Sequence, residues 1–270
     1  MIKMKRFLTI SLLAFFIFGC VERVPITGRK QISLVPESEM ISMSVTEYTK
    51  FLQTHKVCEE NDPRDQLVKR VGNKIKDAIV QYLKDHGGSA RVANYVWEFH
   101  AVDEQTVNAW CMPGGKVVVY TGLLPVTLDE ASLAIVMGHE IGHAVARHGN
   151  ERMSEQMVAQ GLGTGLSIAT MNQPTATRNL FLQAFGAGAG LELLSYSRKQ
   201  ESEADKLGLV FAAIAGYDPH VAVEFWKRMA SQSNGQKPPE LLSTHPSDEQ
   251  RIKDIEVFLP EAMKYYKKAN

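Results

Sequence analysis

The sequence is poor in cysteine, balanced in charge and without a long apolar run, and each scarcity removes a class of protein. Its cysteines are Cys20, Cys58 and Cys111, and no C-x-x-C pair occurs, which excludes a cluster of zinc thiolates. Lys plus Arg and Asp plus Glu number 30 each, so no global charge draws the chain to nucleic acid, and no nucleic-acid partner is expected. The apolar run from Phe7 to Phe18 falls short of the about 20 residues that a membrane-crossing helix needs. Gly161, Gly163 and Gly165, like Gly186, Gly188 and Gly190, follow no predicted strand and lack phosphate-loop spacing, which excludes a nucleotide site there. What remains is ordinary for a globular protein, with 44% hydrophobic and 22% charged residues, enough for one sizeable core.

The N-terminus has a pattern of its own. Lys3, Lys5 and Arg6 precede the apolar run, and Ile17-Phe18-Gly19-Cys20 closes it. This is the shape of a secretory signal ending in a bacterial lipobox. It predicts removal of residues 1–19, lipidation of Cys20 and an acyl anchor at a membrane surface, on the periplasmic side of a bacterial envelope and at its outer membrane. Residues 20–37, with Pro25, Gly28 and Pro36, read as a tether, and residues 38–270 as a single domain. Cys58 and Cys111 form either one disulfide, which an extracytoplasmic compartment permits, or two separate thiols with Cys111 in a strand.

Periodicity predicts helices over 38–56 and 64–85 and a strand over 91–102, with Tyr95, Trp97, Phe99 and Ala101 on one side. A second, β-branched strand spans Lys116 to Tyr120. Thr127-Leu128-Asp129-Glu130 reads as a capping box that opens a helix apolar nearly all round, ending at Gly149-Asn150. Further helices follow over 198–215, after Asp218-Pro219 and after Pro246. The fold class is mainly α with a small β-sheet, α+β.

Inside the apolar helix stands His139-Glu140-Ile141-Gly142-His143. Residues four apart share a helical face, so both imidazoles reach one ion, and Glu140, about 100° around, faces a water beside it without ligating. Nitrogen and oxygen donors with one position left for water suit zinc. A third ligand is needed. Position 149 is Gly and position 146 is Ala, so the pattern with a third histidine six residues on does not fit. His148, five residues beyond His143, points off the ligand face. The remaining candidate is Glu201-Ser202-Glu203-Ala204-Asp205, where Glu201 and Asp205 share a face; one can ligate while the other accepts a hydrogen bond from a ligand histidine. The alternative for this stretch is an exposed acidic turn paired with Arg198 or Lys199. His55, His86, His100 and His220 have no ligand spacing.

Five stretches together resemble the gluzincin family of HtpX and the CAAX prenyl endopeptidases, and its soluble periplasmic and lipoprotein members most of all. They are Thr27-Gly28-Arg29-Lys30-Gln31; Asn108-Ala109-Trp110 with Pro113-Gly114-Gly115-Lys116; the His139–His143 motif; Tyr196-Ser197-Arg198 through Asp205; and His245-Pro246-Ser247 with Arg251. The resemblance implies a zincin-like metallopeptidase domain with one zinc ion, held by His139, His143 and Glu201. It implies Glu140 as general base and Asp205 behind a ligand histidine. It implies that the strand at Asn108 and Ala109 receives an extended substrate by strand addition. It brings His245 and Arg251 toward the metal, where His245 stabilises an oxyanion or fills the open zinc position at rest; on its own, His245 reads only as a helix start before Pro246. The function implied is an endopeptidase acting on misfolded or stalled envelope proteins. The alternative is an envelope chaperone or outer-membrane assembly factor whose protease activity is gated or incidental.

Overall fold

The computed structural model describes residues 21–159, 174–185, 196–231, 239–245 and 249–267. The signal segment, Cys20 and most of the glycine-rich stretches lie outside the described residues. Strands β1 (Val21–Arg23) and β2 (Lys30–Ile32) pair antiparallel, and helices α1 (Glu37–Thr54) and α2 (Pro63–Asp85) follow. A three-stranded sheet is built from β3 (Glu98–Val102), β4 (Ala109–Met112) and β5 (Lys116–Tyr120), in the order β3-β5-β4. The pair β3–β5 is parallel and β4–β5 antiparallel, which leaves β4 on an edge. Then come α3 (Leu124–Thr127), α4 (Glu130–Ala146), α5 (His148–Ala159), α6 (Pro174–Phe185), α7 (Arg198–Ile214), α8 (Val221–Ser231), α9 (Glu240–Thr244) and α10 (Glu249–Ala262). Among the described residues no helix is long and apolar enough to cross a membrane.

The centre of the fold is α4. Every residue from Ser132 to Ala146 is buried, as expected of a helix that is apolar nearly all round. Its Leu133, Met137 and Ile141 share one core with Ile75 and Ile79 of α2 and with Val210 and Phe211 of α7. The crossing of α4 and α7 is set by absent side chains. A Cβ on Gly138 would lie 2.9 Å from the Gly208 carbonyl oxygen, and one on Gly208 would lie 2.7 Å from the His139 nitrogen. Two helix backbones thus touch at the residue before the first histidine, and the two preceding turns of α7 carry Asp205 and Glu201 toward the histidines.

Three local expectations give way. The helix start is Asp129, not Thr127: the Asp129 carboxylate accepts from the Ser132 amide at 2.7 Å, while Thr127 ends α3 and Leu128 turns with φ of +68°. The helix end is Arg147, in the left-handed conformation at φ +61°, not Gly149-Asn150. The chain therefore breaks direction one residue after Ala146, and His148 opens a new helix instead of continuing the old one. Finally, residues 21–32 are a hairpin where a tether was expected. Ile26 and Gly28 at φ +66° make its turn, and the Gln31 amide donates to the Ala146 carbonyl at 2.6 Å, which fastens the hairpin to the end of α4.

The strand expected over 91–102 is regular only from Glu98, where pairing with Lys116 of β5 begins. Trp110 on β4 packs edge-on against Phe51 of α1 with ring centroids 4.9 Å apart. Cys58 and Cys111 are both buried and free, so the pair does not bridge.

Candidate active site

Helix α4 presents His139 and His143 side by side, with Nε2 atoms 3.1 Å apart. Glu201 reaches them from α7, Oε2 lying 3.4 Å from His139 Nε2 and Oε1 3.4 Å from His143 Nε2. His245, just past α9, places Nδ1 2.9 Å from Glu201 Oε1 and 3.2 Å from His139 Nε2. The four donor atoms lie within 4.8 Å of one another, and all four residues are buried. The acidic stretch is therefore no exposed turn.

Whether a metal fits is decided by the outer nitrogens. Asp205 Oδ1 is 2.9 Å from His139 Nδ1, and His148 Nδ1 is 2.9 Å from His143 Nδ1. Each histidine thus has a hydrogen-bond partner behind it, and a proton on Nδ1 leaves the Nε2 lone pair facing inward. Two inward lone pairs 3.1 Å apart, with a buried Glu201 carboxylate oxygen 3.4 Å from each of those nitrogens, call for a cation. Donors about 2.0–2.2 Å from a tetrahedral zinc stand about 3.4 Å apart, close to the separations here. The donor set fits zinc.

The electrostatics agree. Burial and the Arg251 charge push His139 down, but Asp205 and Glu201 outweigh them and raise it to about 9, so the site attracts positive charge. Burial takes His143 well below its ordinary value and keeps its imidazole neutral, the ligating form. Glu201 is resisted by burial, yet His245, His139 and His143 hold it well below the usual carboxylate range. Glu140 goes the other way. Burial, reinforced by Glu201, raises it, and its Oε1 accepts no hydrogen bond although His245 Nε2 is 3.6 Å away. A buried carboxylate with raised proton affinity, beside the metal position and outside the donor set, has the properties of a general base.

Arg251 of α10 lies at the site but is heavily engaged. It donates Nε and a terminal nitrogen to Asp205 at 2.8 Å each, lies 3.2 Å from Glu201 Oε2, and stacks 3.5 Å over Trp226 of α8. Its geometry positions Asp205 and Glu201. Ala109 begins the edge strand β4, which packs on α4, and Asn108 immediately precedes it. The Asn108 side-chain oxygen accepts from the Ala109 amide at 2.9 Å. The Val107 carbonyl accepts from the Leu241 amide of α9 at 3.2 Å, so the segment bearing His245 docks where the edge begins.

Sequence reasoning missed several neighbours. His148 points off the ligand face of an unbroken helix, but the break at Arg147 turns it back behind His143. Glu203 accepts from His148 Nε2 at 3.0 Å and from Arg29 Nε at 2.7 Å. Tyr196 stacks on His143 with ring centroids 3.8 Å apart. Tyr196 and Arg29 stood in the quoted stretches, but no spacing rule assigns them a place.

The sequence has counterparts in known proteins. The model of peptidase family M48 matches residues 73–258. The mitochondrial metalloendopeptidase OMA1 of Homo sapiens is 32% identical over 280 residues, covering 99% of this chain and 52% of that protein. The mitochondrial metalloendopeptidase OMA1 of Schizosaccharomyces pombe is 32% identical over 250 residues, covering 92% of this chain and 69% of that protein. The beta-barrel assembly-enhancing protease of Yersinia pestis is 32% identical over 185 residues, covering 65% of this chain and 38% of that protein. The chain spans about half the length of the human relative it matches, 52%. With the donor set in place and the family model running from within α2 to within α10, the chain belongs to peptidase family M48 and carries a zinc metallopeptidase domain.

Proposed function

We propose that this chain is a zinc-dependent endopeptidase that cleaves extended segments of misfolded or stalled envelope proteins, held at the membrane by a lipid on Cys20. The observation that carries the catalytic reading is the buried Glu140, raised in proton affinity, beside His139, His143 and Glu201. Zinc bound by those three residues supplies a Lewis acid for a peptide carbonyl and lowers the pKa of water. Glu140 takes the proton of the attacking water and delivers it to the leaving nitrogen. Asp205 and His148 keep the imidazoles turned inward. Arg251 neutralises Asp205 and Glu201 without needing to move.

An extended substrate suits β4. As the edge of the sheet, it turns the main-chain groups of Ala109 and Cys111 away from β5, because Asn108, two residues from Trp110, pairs with Tyr120 in the hydrogen-bonded register. Strand addition there lays a peptide alongside α4. Folded proteins present few free strands of this kind, which favours unfolded substrates. The envelope location rests on the lipobox and on likeness to the Yersinia protein, and partners in outer-membrane assembly machinery follow from the same likeness.

A gated variant of this reading has one observation behind it. His245 is a member of the donor set and occupies the fourth corner of the group. With His245 there, the water position is filled, and activity requires α9 to withdraw.

The test is substitution of the base. Glu140→Gln keeps the metal donors and lowers hydrolysis of an unfolded protein by about 10²–10⁴, with zinc content unchanged by elemental analysis. Near-normal turnover would end the assignment. Cys20→Ala releases the protein from the membrane fraction in the parent bacterium; retention after a high-salt wash would remove the lipid anchor from the proposal.

A further inference from the structure

The hairpin β1–β2 is the part of the fold that the catalytic reading leaves without a task. It carries Thr27-Gly28-Arg29-Lys30-Gln31, and its side chains reach across more than a hundred residues of sequence. Arg29 Nε donates to Glu203 Oε2 at 2.7 Å, and a terminal nitrogen donates to Glu151 Oε2 at 2.7 Å. Thr27 Oγ1 donates to Glu203 Oε1. Glu151 is fixed in turn by the Gln200 amide at 2.8 Å. One guanidinium thus ties α5 to α7, and all of these carboxylates are largely buried.

The hydrogen-bond directions along this path have one consistent solution with His148 neutral. The Glu203 carboxylate is an acceptor, so His148 Nε2, 3.0 Å away, carries the proton. His148 Nδ1 is then an acceptor, and the proton in the 2.9 Å contact belongs to His143 Nδ1. With Nδ1 protonated, His143 offers its Nε2 lone pair to the metal position. With the opposite tautomers, the proton of His143 would sit on Nε2 and block it. The outer carboxylate decides which nitrogen of an inner histidine is free, through an intervening histidine.

We propose that the N-terminal hairpin is a positioning element of the zinc site: Arg29 and Thr27 fix Glu203, Glu203 fixes the tautomer of His148, and His148 holds His143 with Nε2 toward the metal. The inference rests on His143 being a zinc ligand. It extends to a relay of two links the arrangement in which a carboxylate orients a metal histidine. Its outer end lies within ten residues of Cys20, so the part of the chain next to the proposed anchor is also part of the metal site's support.

The experiment measures zinc affinity of the full chain by competition with a chromophoric chelator, and the visible absorption bands of the cobalt(II)-loaded protein as a reporter of ligand geometry. His148→Ala weakens zinc binding by about 10–100-fold and shifts the cobalt bands. Arg29→Ala weakens it by about tenfold, and Arg29→Lys recovers part of the loss, since a single ammonium reaches Glu203 but does not fork to Glu151. The double variant His148→Ala/Arg29→Ala binds zinc no more weakly than His148→Ala alone, because both act along one path. Should His148→Ala not fold, Arg29→Ala and Arg29→Lys carry the test, with circular dichroism of the metal-free protein as the folding control. Zinc affinity within about twofold of the parent in a folded Arg29→Ala protein, or losses that add in the double variant, overturns the relay. His143→Ala is run beside them: if it binds zinc as tightly as the parent, the ligand assignment has failed, and not the relay alone.

Discussion

On one side of the metal position, His139 is backed directly by the Asp205 carboxylate, and Arg251 and Trp226 close that side from α10 and α8. On the other side, His143 is backed by a neutral histidine, and the carboxylate stands one link further out, held by an arginine from the N-terminal hairpin. The two histidines are four residues apart on one helix, yet their electrostatic settings are opposite. His139 is raised to about 9 and His143 is pushed well below its ordinary value. A carboxylate in contact with a ligand histidine makes it basic, so that a proton competes with the metal for the imidazole. A neutral partner orients the ligand without adding that competition. The two candidate ligands thus differ in kind, His139 set for charge and His143 set for geometry.

The largest effect expected from disturbing this asymmetry lies at His245, which sits against Glu201 and on the His139 side through Arg251, whose terminal nitrogen donates to the His245 carbonyl at 3.2 Å. If His245 blocks the water position at rest, His245→Ala raises basal cleavage. If it stabilises an oxyanion, the same change lowers turnover by about 10²–10³. Its position in the donor set favours the first outcome, and a fluorogenic peptide assay on the zinc-loaded variant gives the sign. A folded, zinc-loaded variant with unchanged turnover leaves His245 only the ordinary place of a residue that closes α9.

A smaller effect, on folding, separates the two sides. Asp205→Ala removes the bidentate partner of a buried Arg251, leaving Glu201 to compensate, and costs about 3 kcal/mol, the low end for breaking a buried pair. Glu203→Ala removes a partner of Arg29 that still has Glu151, in a less buried setting, and costs about 1–2 kcal/mol. Urea unfolding of the metal-free full chain compares them. Equal losses would mean that the two sides are equivalent supports.

The same asymmetry governs what was legible in the sequence. The His139 side follows spacing rules: His139 and His143 share a face of α4, Glu201 and Asp205 share a face of α7, and the i,i+4 geometry needs no knowledge of the fold. The His143 side depends on a backbone event. Arg147 adopts a left-handed conformation that residue type does not announce, while Gly149-Asn150 two residues later advertises a helix end that is not used. Residues 21–32 look like a linker because Pro25 and Gly28 interrupt them, and the partners that dock the hairpin, Glu151 and Glu203, are far away in sequence. The depth of the α4–α7 crossing was equally hidden, since Gly138 and Gly208 become meaningful only when they face each other. The β4 edge was legible by resemblance alone, being too short for alternation to show.

The smallest effect is a pair of opposed pH slopes in the metal-free protein. His139 has its folded pKa raised to about 9, above the ordinary 6.5. It contributes stability that is fully present below about 6.5 and is lost as pH rises through about 9. His143 and His148 are both lowered, chiefly by burial. The unfolded chain binds their protons first, so their cost appears as pH falls below about 6.5. Each proton sets a slope of at most about 1.4 kcal/mol per pH unit. Urea midpoints of the chelator-treated full chain between pH 5 and pH 9 thus fall toward both ends. His139→Ala flattens the alkaline decline and leaves the acid one. His148→Ala reduces the acid decline and leaves the alkaline one. Zinc binding has the alkaline sign reversed, because the metal must displace the His139 proton and so binds more tightly as pH rises toward about 9. A metal-free protein whose alkaline decline survives His139→Ala would show that the charge at the site resides elsewhere, and the contrast between the two histidines would lose its electrostatic half.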